Sequence, residues 1–282
     1  MTKKCPICQR ILKRKIKKIK KVNIFECENC QLAILEKNIS LSSEKLYSLE
    51  NYQKEVPRLK KRFHYLSAII TKYIKKGEVL DVGSGFGLFS SILAKKGDYH
   101  FLLLDKYVFP YLFKDRVDFN YKKEDYLRFL KIYKKKFDLI LMLDIIEHFK
   151  DPNLVLKKTN KILRKNGYLV IQTPNYQSLM AKICQYWSWW MVEDHKLIFS
   201  PKSIRKVLNK TNFKVVYFKT YEDFYDFKKN LDGNFSQIAQ HFLRKIGKLF
   251  FFFLFIPFYF TLRKLLWGLG YGGAIFLVAK KV

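Results

Sequence analysis

Residues 79–87 read VLDVGSGFG. A run of apolar residues leads into glycines at every second position, and that order leaves the chain few options. The run is too short and too apolar for anything but a buried strand. Gly83, Gly85 and Gly87 let the backbone turn sharply and pass close to another group without a Cβ in the way. The following FGLFSSILAKKG carries helical spacing, so the unit is strand, tight turn, helix. The pattern then repeats. YHFLLLD, FDLILMLD, YLVIQTP, FKVVYFKTY and GGAIFLVAKK read as further strands, with helices at PNLVLKKTNKILRKNG and SPKSIRKVLNKTN, the latter capped by Ser200 and opened by Pro201. Residues 43–76 are predicted mostly helical, stopping at Gly77. Buried strands alternating with helices predict an α/β fold, a doubly wound and mostly parallel sheet covered on both faces. Such sheets hold ligands beyond the carboxyl ends of their central strands.

The glycines also narrow the ligand. The dinucleotide fingerprint is G-x-G-x-x-G, and here Leu88 occupies its third glycine position. Asp81, two residues before Gly83, suits a cationic group instead. S-adenosylmethionine carries an ammonium and a sulfonium. Asp105 ends the next strand, 22 residues after Gly83, where a carboxylate can accept hydrogen bonds from two ribose hydroxyls. Ser84, Lys106 and Leu143 join the candidate cofactor-binding set by position.

With these residues in place the sequence resembles the class I S-adenosylmethionine-dependent methyltransferases, over roughly residues 45–222 and the last ten. VLDVGSGFG resembles the family's first motif, LLLD its ribose-binding strand end, FDLILMLDIIEHFKDP its fourth-strand motif and LRKNGYLVIQTPN its fifth. The branch with EH after strand four and DHKLIFSPKSIRKVL downstream contains ubiquinone-pathway O-methyltransferases and glycan-modifying methyltransferases. The resemblance implies a Rossmann-like seven-stranded sheet with one antiparallel strand at its edge. It implies S-adenosyl-L-methionine as cofactor, with Asp125 near the adenine amino group, Glu124 as its rival, and Asp144 lining the pocket.

DIIEHF places Asp144, Glu147 and His148 three and four residues apart. On a helix they would share a face. In the ubiquinone-pathway enzymes a similar cluster holds a divalent metal, so Mg²⁺ here is an expectation beside the alternative that Glu147 and His148 support the loop. A hydroxyl acceptor must lose its proton. His148 and His195 are the candidate catalytic bases, and His195 lies in the aromatic WSWWMVEDHKLIFSP. Trp187, Trp189 and Trp190 read either as a substrate-facing wall or as ordinary packing.

Cys5 and Cys8, then Cys27 and Cys30, form C-x2-C pairs eighteen residues apart. That spacing matches a four-cysteine zinc site, closed and therefore structural, with a basic β-hairpin between the pairs. The chain opens MTKKCPICQR, with no signal peptide, which disfavours disulfides and points to a cytoplasmic location. Cys184 stands alone in an apolar stretch and reads as core.

Lys and Arg number 55 against 24 Asp and Glu, a net charge of +31. Attraction to polyanions follows, as does the plain alternative of compositional bias. LFFFFLFIPFYFTL, residues 249–262, has basic flanks, is shorter than the twenty or so residues a spanning helix needs, and is interrupted by Pro257. It predicts interfacial insertion, placing the protein peripherally on the inner face of an anionic membrane, with helical packing on the domain as the alternative. The division expected is 1–36 zinc knuckle, 43–227 with 271–282 methyltransferase domain, and 228–270 membrane-associating insertion. The expected activity is O-methylation of a small or lipid-linked acceptor, a glycan or quinone precursor. The alternative is an RNA-binding methyltransferase gripping through the basic zinc hairpin. Nucleic acid is disfavoured because LDIIEH lacks the N-P-P-Y type of tail and the knuckle lacks interleaved aromatics. Nothing in the spacing speaks to oligomeric state.

Overall fold

The computed structural model describes residues 3–36, 49–107, 119–235, 257 and 259–282. It opens with β1 (Arg14–Ile19), β2 (Val22–Cys27) and β3 (Leu32–Leu35). The helix α1 (Leu49–Ile70) follows, then β4 (Lys76–Val82), α2 (Leu88–Ala94), β5 (Asp98–Asp105), β6 (Asn120–Lys123), α3 (Tyr126–Ile132) and β7 (Phe137–Leu143). Beyond them lie α4 (Pro152–Ile162), β8 (Leu163–Pro174), α5 (Leu179–Ile183), β9 (Leu197–Ile198), α6 (Pro201–Lys210), β10 (Phe213–Tyr221) and α7 (Phe224–Phe235). Residues 259–268 form α8, and β11 (Ala274–Lys281) is the last strand.

The main sheet has seven strands in the order β10-β11-β8-β7-β4-β5-β6. The pleat sends alternate side chains of its central strands to opposite faces. Leu80, Val82, Ile140 and Met142 pack with Val155, Leu156, Ile204 and Leu208 of α4 and α6. Val79, Leu139 and Leu141 pack with Leu66 and Ile70 of α1 and Phe89 and Leu93 of α2. Helices therefore cover both faces, as the unbroken apolar strands predict. From β4 the chain winds one way through β5 and β6 and the other way through β7 and β8, so the crevice falls at the ends of β4, β5 and β7.

Two expectations need correction. The antiparallel strand is not at the edge: β11 runs antiparallel to both β8 and β10 and lies between them. And β8 begins at Leu163, not Tyr168, because α4 ends at Ile162 and LRKNG becomes the irregular start of the strand. Leu163 pairs with Phe137 and Tyr168 with Leu139, and Asn166 at φ 62° takes up the extra residues.

The cysteine-bearing segment is built into the domain. β1, β2 and β3 form a second sheet whose last strand pairs with β9, Ala33 opposite Ile198 and Ile34 opposite Leu197. Ser200 Oγ donates to the Gln31 carbonyl at 2.5 Å, and Tyr176 hydroxyl donates to Glu26 Oε1 at 2.7 Å.

The hydrophobic stretch 249–262 falls mostly outside the described residues. Among those described, no helix is long and apolar enough to cross a membrane. The ends of the connection between β10 and β11 pack on the domain. Tyr259 stacks on Phe227 at 4.4 Å, beside Trp187 and Trp190, which pack as ordinary core. Arg58 of α1 holds Asp226 at 3.0 Å and Asp223 at 3.2 Å, tying α1 to α7.

Glu222 is buried here, accepting from Tyr259 hydroxyl at 2.8 Å with its other oxygen unpartnered. Burial, aided by Asp226 and Asp223, pushes this carboxyl up to about 8. Its stabilising contribution is therefore complete below its ordinary value of 4.5 and is lost as pH rises through 8. Glu222→Gln should leave the Tm little changed at pH 5 and exceed wild type by roughly 5 °C at pH 9. A pH-independent difference in thermal melts would contradict this account.

Candidate functional site

β4 carries Asp81 into the crevice, 3 % exposed, where it accepts from Ser90 Oγ at 2.6 Å. Burial, with the like charge of Asp105, raises its carboxyl to about 7. The glycine turn follows. Gly83 (φ 67°) lies against Ile145, and Gly87 (φ 75°) caps α2. Gly85 (φ 52°) is different: a Cβ there would meet nothing within 4 Å, because it would project into open space. The Gly85 amide donates to Asp105 Oδ2 and the Tyr107 amide to Oδ1, each at 3.0 Å. Burial nonetheless raises the Asp105 carboxyl above its usual range.

These residues open on a cavity of about 800 Å³. Ser84, Lys106, Glu124, Asp125, Leu143, Asp144, His148 and His195 line it as well; of the sequence-derived cofactor residues Gly87 falls outside the lining. Asp125 and Glu124 both face the cavity, but Asp125 caps α3 by accepting from the Arg128 amide at 3.1 Å.

The helical face expected for Asp144, Glu147 and His148 does not form. Only residues Ile146–His148 make a single 3-10 turn, and Asp144 sits at φ 57°. Its Oδ2 accepts from Gln172 at 2.7 Å, and the charge of Arg62 reaches it. His195 takes the expected place of Asp144. Glu147, His148 and His195 bring one ligand atom each within 4.8 Å of one another. An ion held by Asp144, Glu147 and His148 does not fit this arrangement.

The protonation of this trio follows from its contacts. Both ring nitrogens of His148 face oxygens, Nε2 the Asp144 carbonyl at 3.1 Å and Nδ1 Asp194 Oδ1 at 3.3 Å. Burial opposes its charge, but the neighbouring Asp194 and Glu147 outweigh burial and raise its pKa. His195 is 2 % exposed and donates from Nδ1 to the Trp189 carbonyl at 3.0 Å. Burial first, and then His148, depress its pKa to about 3. It is neutral, and Nε2 keeps its lone pair. Glu147, fully buried, is raised by burial to about 8 and lies 4.0 Å from that nitrogen.

Two residues of consequence escaped the sequence reading. Arg62 of α1 lines the cavity with its side chain 9 % exposed and its Nε unpartnered. It was hidden among the many basic residues of that helix. Asp194 stood beside His195 in sequence, but only the fold shows that it serves His148.

The four cysteine sulfurs also lie within 4.8 Å of one another, with Cys8 and Cys27 3.5 Å apart and no disulfide. Without an ion, burial pushes the Cys5 and Cys30 thiols up, Cys30 to about 12. A dication lets four buried sulfurs ionise together, so the donor set fits tetrahedral zinc.

Residues 52–217 match the family described as methyltransferase domain. Ubiquinone biosynthesis O-methyltransferase of Coxiella burnetii is 31 % identical over 127 residues, 41 % of this chain and 53 % of that protein. Its counterpart in Pelagibacter ubique is 34 % identical over 110 residues, 37 % and 45 % of the two chains. The chain spans about half the length of the curated relatives it matches. The structure of a SAM dependent methyltransferase from Archaeoglobus fulgidus superposes with a TM-score of 0.56 at 20 % identity, covering 83 % of this chain and all of that one. The chain thus belongs to the methyltransferase domain family, and its cysteine cluster is compatible with structural zinc.

Two measurements probe the two centres. Gly85→Ala should cost only about 1 kcal/mol of stability, the strain of a side chain at positive φ, yet weaken S-adenosylhomocysteine binding tenfold or more. Unaltered affinity in calorimetry would mean that the ligand lies elsewhere. Metal analysis should find about one zinc per chain, lost in Cys27→Ser together with roughly 10 °C of Tm; a zinc-free wild type with the same Tm would exclude the metal.

Proposed function

We propose that the protein methylates a hydroxyl of a small or lipid-linked acceptor at a membrane surface. One observation carries this reading: the glycine turn with its acids lines the same cavity as His148 and His195, with Glu147 close to both histidines. S-adenosylmethionine, when bound, supplies a methyl already activated on sulfonium, so the chain's task is alignment and proton handling. Asp81 would favour the cofactor's positive charge, Asp105 its ribose hydroxyls, and Glu124 or Asp125 its adenine edge. Gly83, Ser84, Gly85, Lys106, Leu143 and Asp144 would shape the remaining wall, and Arg62 would take a carboxylate. His195 accepts the hydroxyl's hydrogen bond through Nε2, whose lone pair is free while Nδ1 is held by Trp189; with so low a pKa it takes the proton late, as the methylated oxygen becomes strongly acidic. His148, held between the Asp144 carbonyl and Asp194, fixes the cavity wall beside it.

The similarity to ubiquinone biosynthesis O-methyltransferases supports oxygen as the methylated atom. The +31 charge and the apolar 249–262 stretch support peripheral attachment to the cytoplasmic face of an anionic membrane. In this division residues 1–36 brace the site, 43–227 with 271–282 perform the chemistry, and 228–270, whose two ends pack on the domain, carries the lipid-docking stretch.

Methyl-label transfer tests the reading. Wild type should label the lipid-extractable fraction of membranes and not total RNA; label confined to RNA would favour the hairpin-grip alternative. His195→Gln should lower that rate by about 100-fold or more while S-adenosylhomocysteine affinity holds. Undiminished turnover would remove His195 from the chemistry.

A further inference from the structure

Three lysines reach the cavity from three segments: Lys106 from the end of β5, Lys150 from the loop before α4 and Lys196 from the approach to β9. Lys106 and Lys150 are exposed at the rim and Lys196 is half-buried. Lys106 and Lys150 are both close enough for their charges to reach Lys196. Burial holds the Lys196 amine below its ordinary value, and the charges of Lys106 and Lys150 lower it further against the pull of Asp194.

A chain this basic has many lysines, but few converge on a concave site whose acids are already committed. Asp194 serves His148. Glu124 faces Arg128 at 3.6 Å, Asp125 caps α3, and Asp151 caps α4 by accepting from the Leu154 amide at 3.0 Å. Asp105 receives the two backbone amides already described. Lys196 is also fixed in place: its amide donates to the Glu147 carbonyl and its carbonyl accepts from the Leu35 amide, both at 3.0 Å. One bond reaches the wall of the proton-handling trio and the other reaches the cysteine-bearing sheet.

We propose that Lys106, Lys150 and Lys196 form a collar that holds a phosphate or diphosphate carried by the methyl acceptor, a reading that rests on methyl transfer in this cavity. Ammonium groups are compact point charges with rotatable donors, and three of them around a concavity suit a tetrahedral polyanion better than a planar carboxylate. Arg62, the residue suited to a carboxylate, belongs to α1 and faces Asp144 and Asp223 instead. Lys196 and His195 line the same cavity, so an acceptor gripped there by its phosphate shares that space with the histidine.

The test is calorimetry on the full chain saturated with S-adenosylhomocysteine and titrated with inorganic pyrophosphate. Wild type should bind pyrophosphate. Lys150→Gln and Lys196→Gln should each weaken it about tenfold, without altering S-adenosylhomocysteine affinity. Lys165→Gln, exposed and away from the cavity, controls for net charge and should change neither. Vesicles of phosphatidylcholine doped with phosphatidic acid separate the sources of phosphate. Vesicle binding that survives Lys150→Gln/Lys196→Gln supports an acceptor-borne group; a loss parallel to that of pyrophosphate overturns it in favour of lipid headgroups. Pyrophosphate binding equal in wild type and double variant also overturns the collar. Failure of S-adenosylhomocysteine to bind at all would instead sink the methyl-transfer reading.

Discussion

Three aspartates stand where the central strands end: Asp81 within β4, Asp105 closing β5 and Asp144 just past β7. Gathering like charges away from water is costly, and much of the surrounding structure answers that cost. Asp81 takes the Ser90 hydroxyl, Asp105 the Gly85 and Tyr107 amides, and Asp144 the Gln172 amide and the field of Arg62. Each partner comes from a different element, so compensating the acids also fixes the glycine turn, helix α2 and helix α1 around the cavity. The cavity is still walled by carboxylates, the surroundings that suit a cationic nucleoside.

The parts of this arrangement visible in sequence are those written in contiguous residues. VLDVGSGFG specifies strand, turn and helix because each of its residues is locally constrained. FKVVYFKTY coincides with β10 to the residue because it lies between a helix stop and a polar turn. β6 gave no such signal: Asn120–Lys123 is a polar edge strand whose pairing with β5 comes from the fold. LRKNG looked like the end of a helix because its turn residues are absorbed as an irregularity inside β8. The interior place of β11 could not be read from an apolar run, which specifies burial and not neighbours.

The trio shows the same limit at the site. Glu147 and His148 were legible from DIIEHF, but their third companion is His195, 47 residues downstream, and the left-handed backbone at Asp144 breaks the helical spacing that would have enlisted it. His195 arrives by way of the cysteine-bearing sheet. β3 pairs with β9, β9 follows Lys196, and Lys196 is bonded to the Glu147 carbonyl. A zinc-binding pattern and a catalytic pattern that looked independent in sequence share one run of backbone hydrogen bonds.

The position of β11 also bears on biosynthesis. β8 and β10 flank it on either side, and Val170 meets Val278 across more than a hundred residues of chain. Until residues 274–281 emerge from the ribosome, two long strands present bare edges with no native partner to cover them. The nascent protein therefore passes through a stage in which its sheet is split, and closure comes late and over a long loop. Loss of these last residues would leave β8 and β10 without the strand that joins them.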